Sequence, residues 1–266
     1  MSARMRRGAT ERAGIVDGNR KGLGKFQRAL LDAVQADLLP ITRGKKRKLL
    51  GETIHNHVFD LPGPRQLPSE NKSPRQEYLG KLFRGFLEIS KCMETLEDIQ
   101  FYIGRFPFQT TQVTRGRYLQ FHYEAYLHEM YMLEQRLLQY STLIERRYRK
   151  GALSEEIGGL CEKLRKLVKE VLKGIVTLRS GHVHQSRIWD ESIDRLGAME
   201  LLMHGAETGF TQALKSYYRL EYPTIRKRWC TKLRENNKAV SRLLDVYFDA
   251  LYDYCFDSNS TPKYPS

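Results

Sequence analysis

Residues 153–178 read LSEEIGGLCEKLRKLVKEVLKGIVTL, and the spacing of their apolar side chains decides the fold class. Leu153, Ile157, Leu160, Leu164, Leu167, Val171, Ile175 and Leu178 step by three or four residues throughout. That is the repeat of one face of an α-helix. Ser154 is a good N-cap, and Glu155 and Glu156 fall in the first turn, where the helix dipole favours negative charge.

The same period extends outward from this stretch. Upstream, over roughly 77–104, Leu79, Leu82, Phe83, Phe86, Ser90, Met93, Leu96 and Ile103 share a stripe, closed by Gly104 and Pro107. From Tyr118 to Tyr148 the apolar side is Tyr123, Leu127, Met130, Leu137 and Ile144, and the far end, IERRYRK (144–150), is cationic as a helix C-terminus prefers. Downstream, Asp190 is an N-cap for a fourth pattern carrying Leu196, Met199, Met203, Ala206, Phe210, Ala213 and Tyr217. Pro223 then opens a fifth with Ile225, Trp229, Val240, Leu243, Tyr247, Leu251 and Tyr254. No sustained alternation bounded by turn dipeptides competes with these patterns. The fold class expected is all-α. Short connections near 149–152 and 221–224 imply antiparallel neighbours, hence an up-and-down-like bundle of about five long helices over 76–256.

The ends of the chain read differently. Residues 1–75 form a basic N-terminal extension. Its first 21 residues lack periodicity and are expected to be disordered. A short helix is expected from Leu23 to Leu38, where Phe26, Leu30, Val34 and Leu38 recur and Pro40 stops the run. The segment RGKKRKLL (43–50) concentrates Arg43, Lys45, Lys46, Arg47 and Lys48, either a solvated charge run or a nucleic-acid contact. DLPGPRQLPSENKSPR (60–75), with four prolines, reads as a linker. Residues 257–266 are expected to be a flexible tail.

Across 266 residues, 45 Lys/Arg against 31 Asp/Glu leave a formal charge of +14. Residues 1–76 carry 16 basic and 7 acidic side chains, and 77–266 carry 29 and 24, so a net +9 sits on the shorter part. Such a balance favours polyanionic partners, nucleic acid before an anionic membrane. No apolar run is long enough to span a bilayer, and the basic start MSARMRRGATERAG has no apolar h-region, so neither a membrane span nor a secretory signal is expected. Cys92, Cys161, Cys230 and Cys255 form no CxxC pair, and three lie on or beside apolar positions. Free thiols in a reducing compartment follow, and a cytoplasmic location with them.

The chemistry concentrates in LRSGHVHQSR (178–187). Arg179 is a permanently charged fork suited to phosphate, and His182 and His184 titrate near neutrality. On an unbroken helix His182 lies about 60° from Arg179 and His184 about 140° away. Gly181 is expected to end the helix near Ser180 and free both histidines to reach the arginine. A histidine can take a proton from a ribose 2′-OH or give one to the leaving 5′-oxygen, while the arginine stabilises charge on the phosphorus. Other readings stand beside this one. A basic residue at a helix C-terminus is favoured by the dipole alone. His182 and His184 could be a metal pair, but no third ligand is identifiable; the same holds for His55 and His57. Glu124 and Glu129 flank His128 and could orient a histidine or simply be solvated. Most of the 28 aromatic residues sit at core spacing; Trp189, just before the Asp190 cap, reads as a staple residue or a base-stacking platform. No GxxxxGK[ST] and no GxSxG occurs.

Arg179-Ser180-Gly181-His182-Val183-His184, closing a long helix of an all-α chain, resembles the signature of the HEPN superfamily, an Arg and a His separated by four to six residues. The helix YLQFHYEAYLHEMYMLEQRLLQYSTLIER (118–146) is similar to the long aromatic and acidic helix of HEPN-like proteins. The resemblance covers roughly 77–256. It implies a cofactor-free helical homodimer that cleaves RNA without a metal ion, in a toxin–antitoxin or related defence setting, with a cognate antitoxin or defence partner. It assigns Arg179 to the phosphate and His184 to catalysis, with Ser180 where members often carry Asn, Asp or His, and His182 as an extra. Other members have lost the catalytic pair and only bind nucleotides or partners, which is the alternative expectation here.

Overall fold

The computed structural model describes residues 21–37, 73–106, 112–184, 190–204 and 208–264, with the backbone alone for 176–184. The described residues are all-α: α1 (Lys21–Asp37), α2 (Pro74–Ile103), α3 (Arg115–Tyr148), α4 (Ser154–His184), α5 (Glu191–Leu202) and α6 (Gly209–Cys255). The only extended pairing among them is a single bridge between Phe256 and Pro262.

Contacts divide the chain into two compact units, Met1–Phe86 with Tyr247–Ser266, and Leu87–Val246. These limits differ from the boundaries expected near 76 and 256. The reason is visible in the first unit. Phe26 of α1 is fully buried, and its ring lies 4.8 Å from Phe248, 5.3 Å from Phe256 and 5.9 Å from Phe86. The short helix expected at Leu23–Leu38 exists, but it belongs to a core and is no appendage. The C-terminal residues are likewise built in. The Asp257 carboxylate accepts from the backbone N–H of Asn259 and of Thr261, both at 2.8 Å. Lys263 N–H donates to the Cys255 carbonyl at 2.8 Å, and Arg75 lies 4.1 Å over the Tyr264 ring. Residues 257–264, part of the expected tail 257–266, thus make defined hydrogen bonds and a ring contact with the rest of this unit.

In the second unit α3 is the central element, packed along α4 and against α5. Tyr123, Leu127, Met130, Leu137 and Ile144 are buried, as their spacing required. On α4 the buried stripe is Ile157, Cys161, Leu164, Val168 and Leu172, while Leu153 and Val171 are exposed and Leu160 and Leu167 half-buried. The core line is thus rotated away from the leucine line that the sequence offered first. Asp190 caps α5 as expected, accepting from Ser192 N–H at 3.1 Å and Ile193 N–H at 3.3 Å. The fourth pattern does not run on to Tyr217, because α5 stops at Leu202 and both Phe210 and Tyr217 are exposed. Pro223 lies inside α6 and opens no helix, so the connection expected at 221–224 is helix interior.

A buried polar knot ties α2, α3 and α6 together within this unit. Asn237 accepts from Tyr126 O–H at 2.8 Å and donates to Gln100 Oε1 at 3.1 Å and the Leu96 carbonyl at 3.2 Å. Asn237→Leu would take from the Tyr126 hydroxyl its 2.8 Å acceptor and leave it only Asn236, and losing a hydrogen bond of this kind costs about 0.5–1.5 kcal/mol. The expected result is a lowered urea midpoint that Tyr126→Phe partly restores; no recovery in the double variant would show the knot to be incidental.

Candidate nucleic-acid interface

α4 fixes where the sequence motif lies. Its backbone stays helical through Gly181 and ends at His184. The break expected at Ser180–Gly181 is absent. A glycine inside a helix costs about 1 kcal/mol, which neighbouring helical residues can carry. By helical phase the unbroken backbone puts His182 about 60° from Arg179 and His184 about 140° away. Arg179 and His182 therefore share a face of α4, with Ser180 beside it, and His184 does not. The side chains of these four residues lie outside what the structure describes, as do Trp189, His55 and His57, and the basic run of Arg43, Lys45, Lys46, Arg47 and Lys48. His128 is exposed, and Glu129 lies 3.9 Å from Arg136, which also pairs with Glu88 at 2.9 Å.

A second constellation, not singled out by sequence, gathers where α2 ends and α3 begins. α2 closes with the Arg105 N–H donating to the Tyr102 carbonyl at 2.9 Å. α3 opens at Thr114, whose backbone is extended and whose hydroxyl accepts from Arg117 N–H at 3.4 Å. The Tyr118 hydroxyl donates to the Tyr102 carbonyl at 3.2 Å and so pins the first turn of α3 to the last turn of α2. This brings four rings into one row: Phe121 lies 5.4 Å from His122, His122 5.6 Å from Tyr102, and Tyr102 5.9 Å from Phe101. Phe101, Tyr102 and Phe121 are 41%, 44% and 66% exposed. His122 is half-buried, and that burial holds its imidazole below the usual histidine range, so the row is uncharged at neutral pH.

Arginines border the row. The Arg105 guanidinium lies 4.3 Å over the Phe101 ring, and Arg115 lies 5.2 Å over Tyr222. Arg117 is exposed one turn before Phe121. Behind them the start of α3 is anchored by Glu200 of α5, a buried carboxylate that accepts from Gly116 N–H at 2.7 Å and from the Tyr218 hydroxyl. A β-carbon at Gly116 would sit 2.7 Å from Glu200 Oε2, so a side chain there would push the carboxylate from its place. Burial, reinforced by Glu200, keeps the Tyr218 hydroxyl protonated far above the ordinary tyrosine range.

Other chemistries find little here. Burial pushes the Cys92 thiol up to about 12 and the Cys161 thiol up to about 11, so neither supplies a thiolate near neutrality. Among the described residues no group of three or more His, Cys, Asp or Glu could hold a metal ion, and no helix is long and apolar enough to cross a membrane. Comparison with family models, curated proteins and solved structures gives no match to this chain.

Proposed function

We propose that this chain binds RNA and cleaves it without a metal ion, as the HEPN-like ribonucleases that it resembles do. The observation that carries the reading is the unbroken end of α4, which keeps Arg179 and a histidine one turn apart on one face. The arginine holds the scissile phosphate and stabilises the charge that develops on it, while the histidine moves the proton. Motif spacing assigns the histidine to His184; helical register assigns it to His182. A homodimer would set two such pairs against one strand, and two-fold assembly is the commonest oligomer. Free thiols suit a reducing cytoplasm, and a toxin–antitoxin or defence role with a cognate partner follows from the same resemblance. The test is cleavage of a labelled single-stranded RNA in EDTA: retained activity supports the reading, and no cleavage by the wild type removes it.

A second reading, a non-catalytic RNA-binding protein, is favoured by the exposed ring row with its arginines, which offers contacts to a strand. In both readings Arg43, Lys45, Lys46, Arg47 and Lys48 contact phosphates. Replacing all five by glutamine is expected to flatten the dependence of log K on log salt by up to about 3.5, since each lost single-strand contact is worth about 0.7. An unchanged slope would take this segment out of the interface.

A further inference from the structure

We propose that Phe101, Tyr102 and Phe121, flanking His122 and rimmed by Arg105 and Arg117, are a stacking platform for unpaired bases of a single RNA strand. The inference rests on the reading that RNA is the ligand, and adds the site and the form of RNA that it takes.

Single exposed apolar side chains are ordinary on protein surfaces; a contiguous row of large rings is not. Here three exposed rings and a half-buried imidazole follow one another at 5.4–5.9 Å. Their mutual contacts are edge-on or tilted, at 79°, 36° and 72°, so the rings are not stacked face to face on one another. With Arg105 over one face of Phe101, the ring surface that stays exposed suits nucleobases, each of which has a π-face whatever its sequence. A duplex keeps its base faces inside the stack and cannot use such a row.

Charge gives the strand its side. Arg105 and Arg117 lie at the arginine rim, and Arg115 stands on the first turn of α3 between Phe106 at 5.8 Å and Tyr222 at 5.2 Å. Glu97 and Asp98 are exposed on α2 about one turn before Phe101 and Tyr102. Glu124 is half-buried and accepts from Gln120 at 3.1 Å. Phosphates are therefore drawn along the arginine rim and kept from the acidic edge, which leaves the bases over the rings. Residues 87–246, which carry this surface, hold 26 Lys/Arg against 20 Asp/Glu, and that positive balance favours a polyanion over a neutral helix of another protein. The hydrogen bond from Tyr118 to the Tyr102 carbonyl and the Glu200 anchor on Gly116 hold the two helix ends in register, so the platform is formed before the strand arrives.

The experiment uses the full chain and a fluorescent 2′-O-methyl oligouridylate, which cannot be cleaved through its 2′ oxygen, beside a duplex of equal length. Tyr102→Ala/Phe121→Ala is expected to weaken single-strand binding by about 5- to 150-fold per ring lost, the range of base–aromatic stacking. The salt slope and the circular dichroism should not change, and Phe121→Trp should retain binding. Arg117→Gln should reduce the slope by about 0.7. Wild-type affinity in the double alanine variant overturns the proposal, and so does an equal loss on the duplex. A changed sedimentation coefficient with unchanged RNA affinity would make the row a protein contact and overturn it too. If the wild type neither binds nor cleaves RNA, the functional reading falls and the platform with it; if cleavage stands and binding survives loss of the rings, the platform alone falls.

Discussion

Arg179→Ala is expected to slow RNA cleavage in EDTA by about 10²–10³-fold, the usual cost of removing one group aimed at developing transition-state charge. The histidine that moves the proton should cost about 10²–10⁴-fold when replaced by alanine. His182→Ala and His184→Ala separate the two assignments. The continuous helix favours a large loss at His182, whereas the motif spacing favours His184. The true proton-transfer residue should also lose one limb of the pH–rate profile, which a merely structural substitution would leave in place. Single-turnover rates on one labelled strand give all three comparisons. Identical rates for wild type and all three variants would exclude the enzyme and leave the binding protein.

Phe26→Ala is expected to destabilise the first unit by about 3–5 kcal/mol, the range for removing a buried phenylalanine. Phe26 is fully buried and touches three other rings, so no single neighbour can close the space. Measured against an ordinary domain stability of about 5–15 kcal/mol, the loss is large enough to read as an early melting step. Phe26→Leu should cost much less. A loss below about 1 kcal/mol in Phe26→Ala would mean that this core is not as drawn. The practical corollary is that residues 21–37 cannot be deleted to ask what the basic N-terminal region does to RNA. Charge neutralisation of 43–48 asks that question without removing a core helix.

Much of the helical order was legible because buried side chains impose the 3.6-residue period directly. The α3 stripe and the Asp190 cap read correctly, since one is a long repeated pattern and the other a local chemical need. The misreadings share a physical form. On α4 two apolar lines lie side by side, and periodicity alone does not say which one a neighbour covers. Pro223 looks like a helix start because its fixed φ suits the first turn, yet the chain tolerates it mid-helix. The ring costs the hydrogen bond to the Arg219 carbonyl, but Pro223 and Arg219 are both exposed, so water can take the carbonyl. Gly181 suggests a stop because glycine enters left-handed conformations cheaply, yet the backbone stays helical through it. The ring row has a signal in the sequence. Phe101-Tyr102 and Phe121-His122-Tyr123 put large rings on consecutive helical positions about 100° apart, and such neighbours cannot all face one core.

The core around Phe26 is made from segments on either side of residues 87–246 in sequence, and 87–246 form a compact unit of their own. In a chain emerging from a ribosome, the middle is complete when Val246 has been added. The ring of Phe26 must wait for Phe248 and Phe256, more than 220 residues later in synthesis. During that interval the apolar side of α1 has only part of its native cover, Phe86 among it, a circumstance in which chains attract chaperones or one another. Residues 247–256 therefore close a core begun more than 200 residues earlier, and a chain stopped before them leaves Phe26 without two of its three ring neighbours.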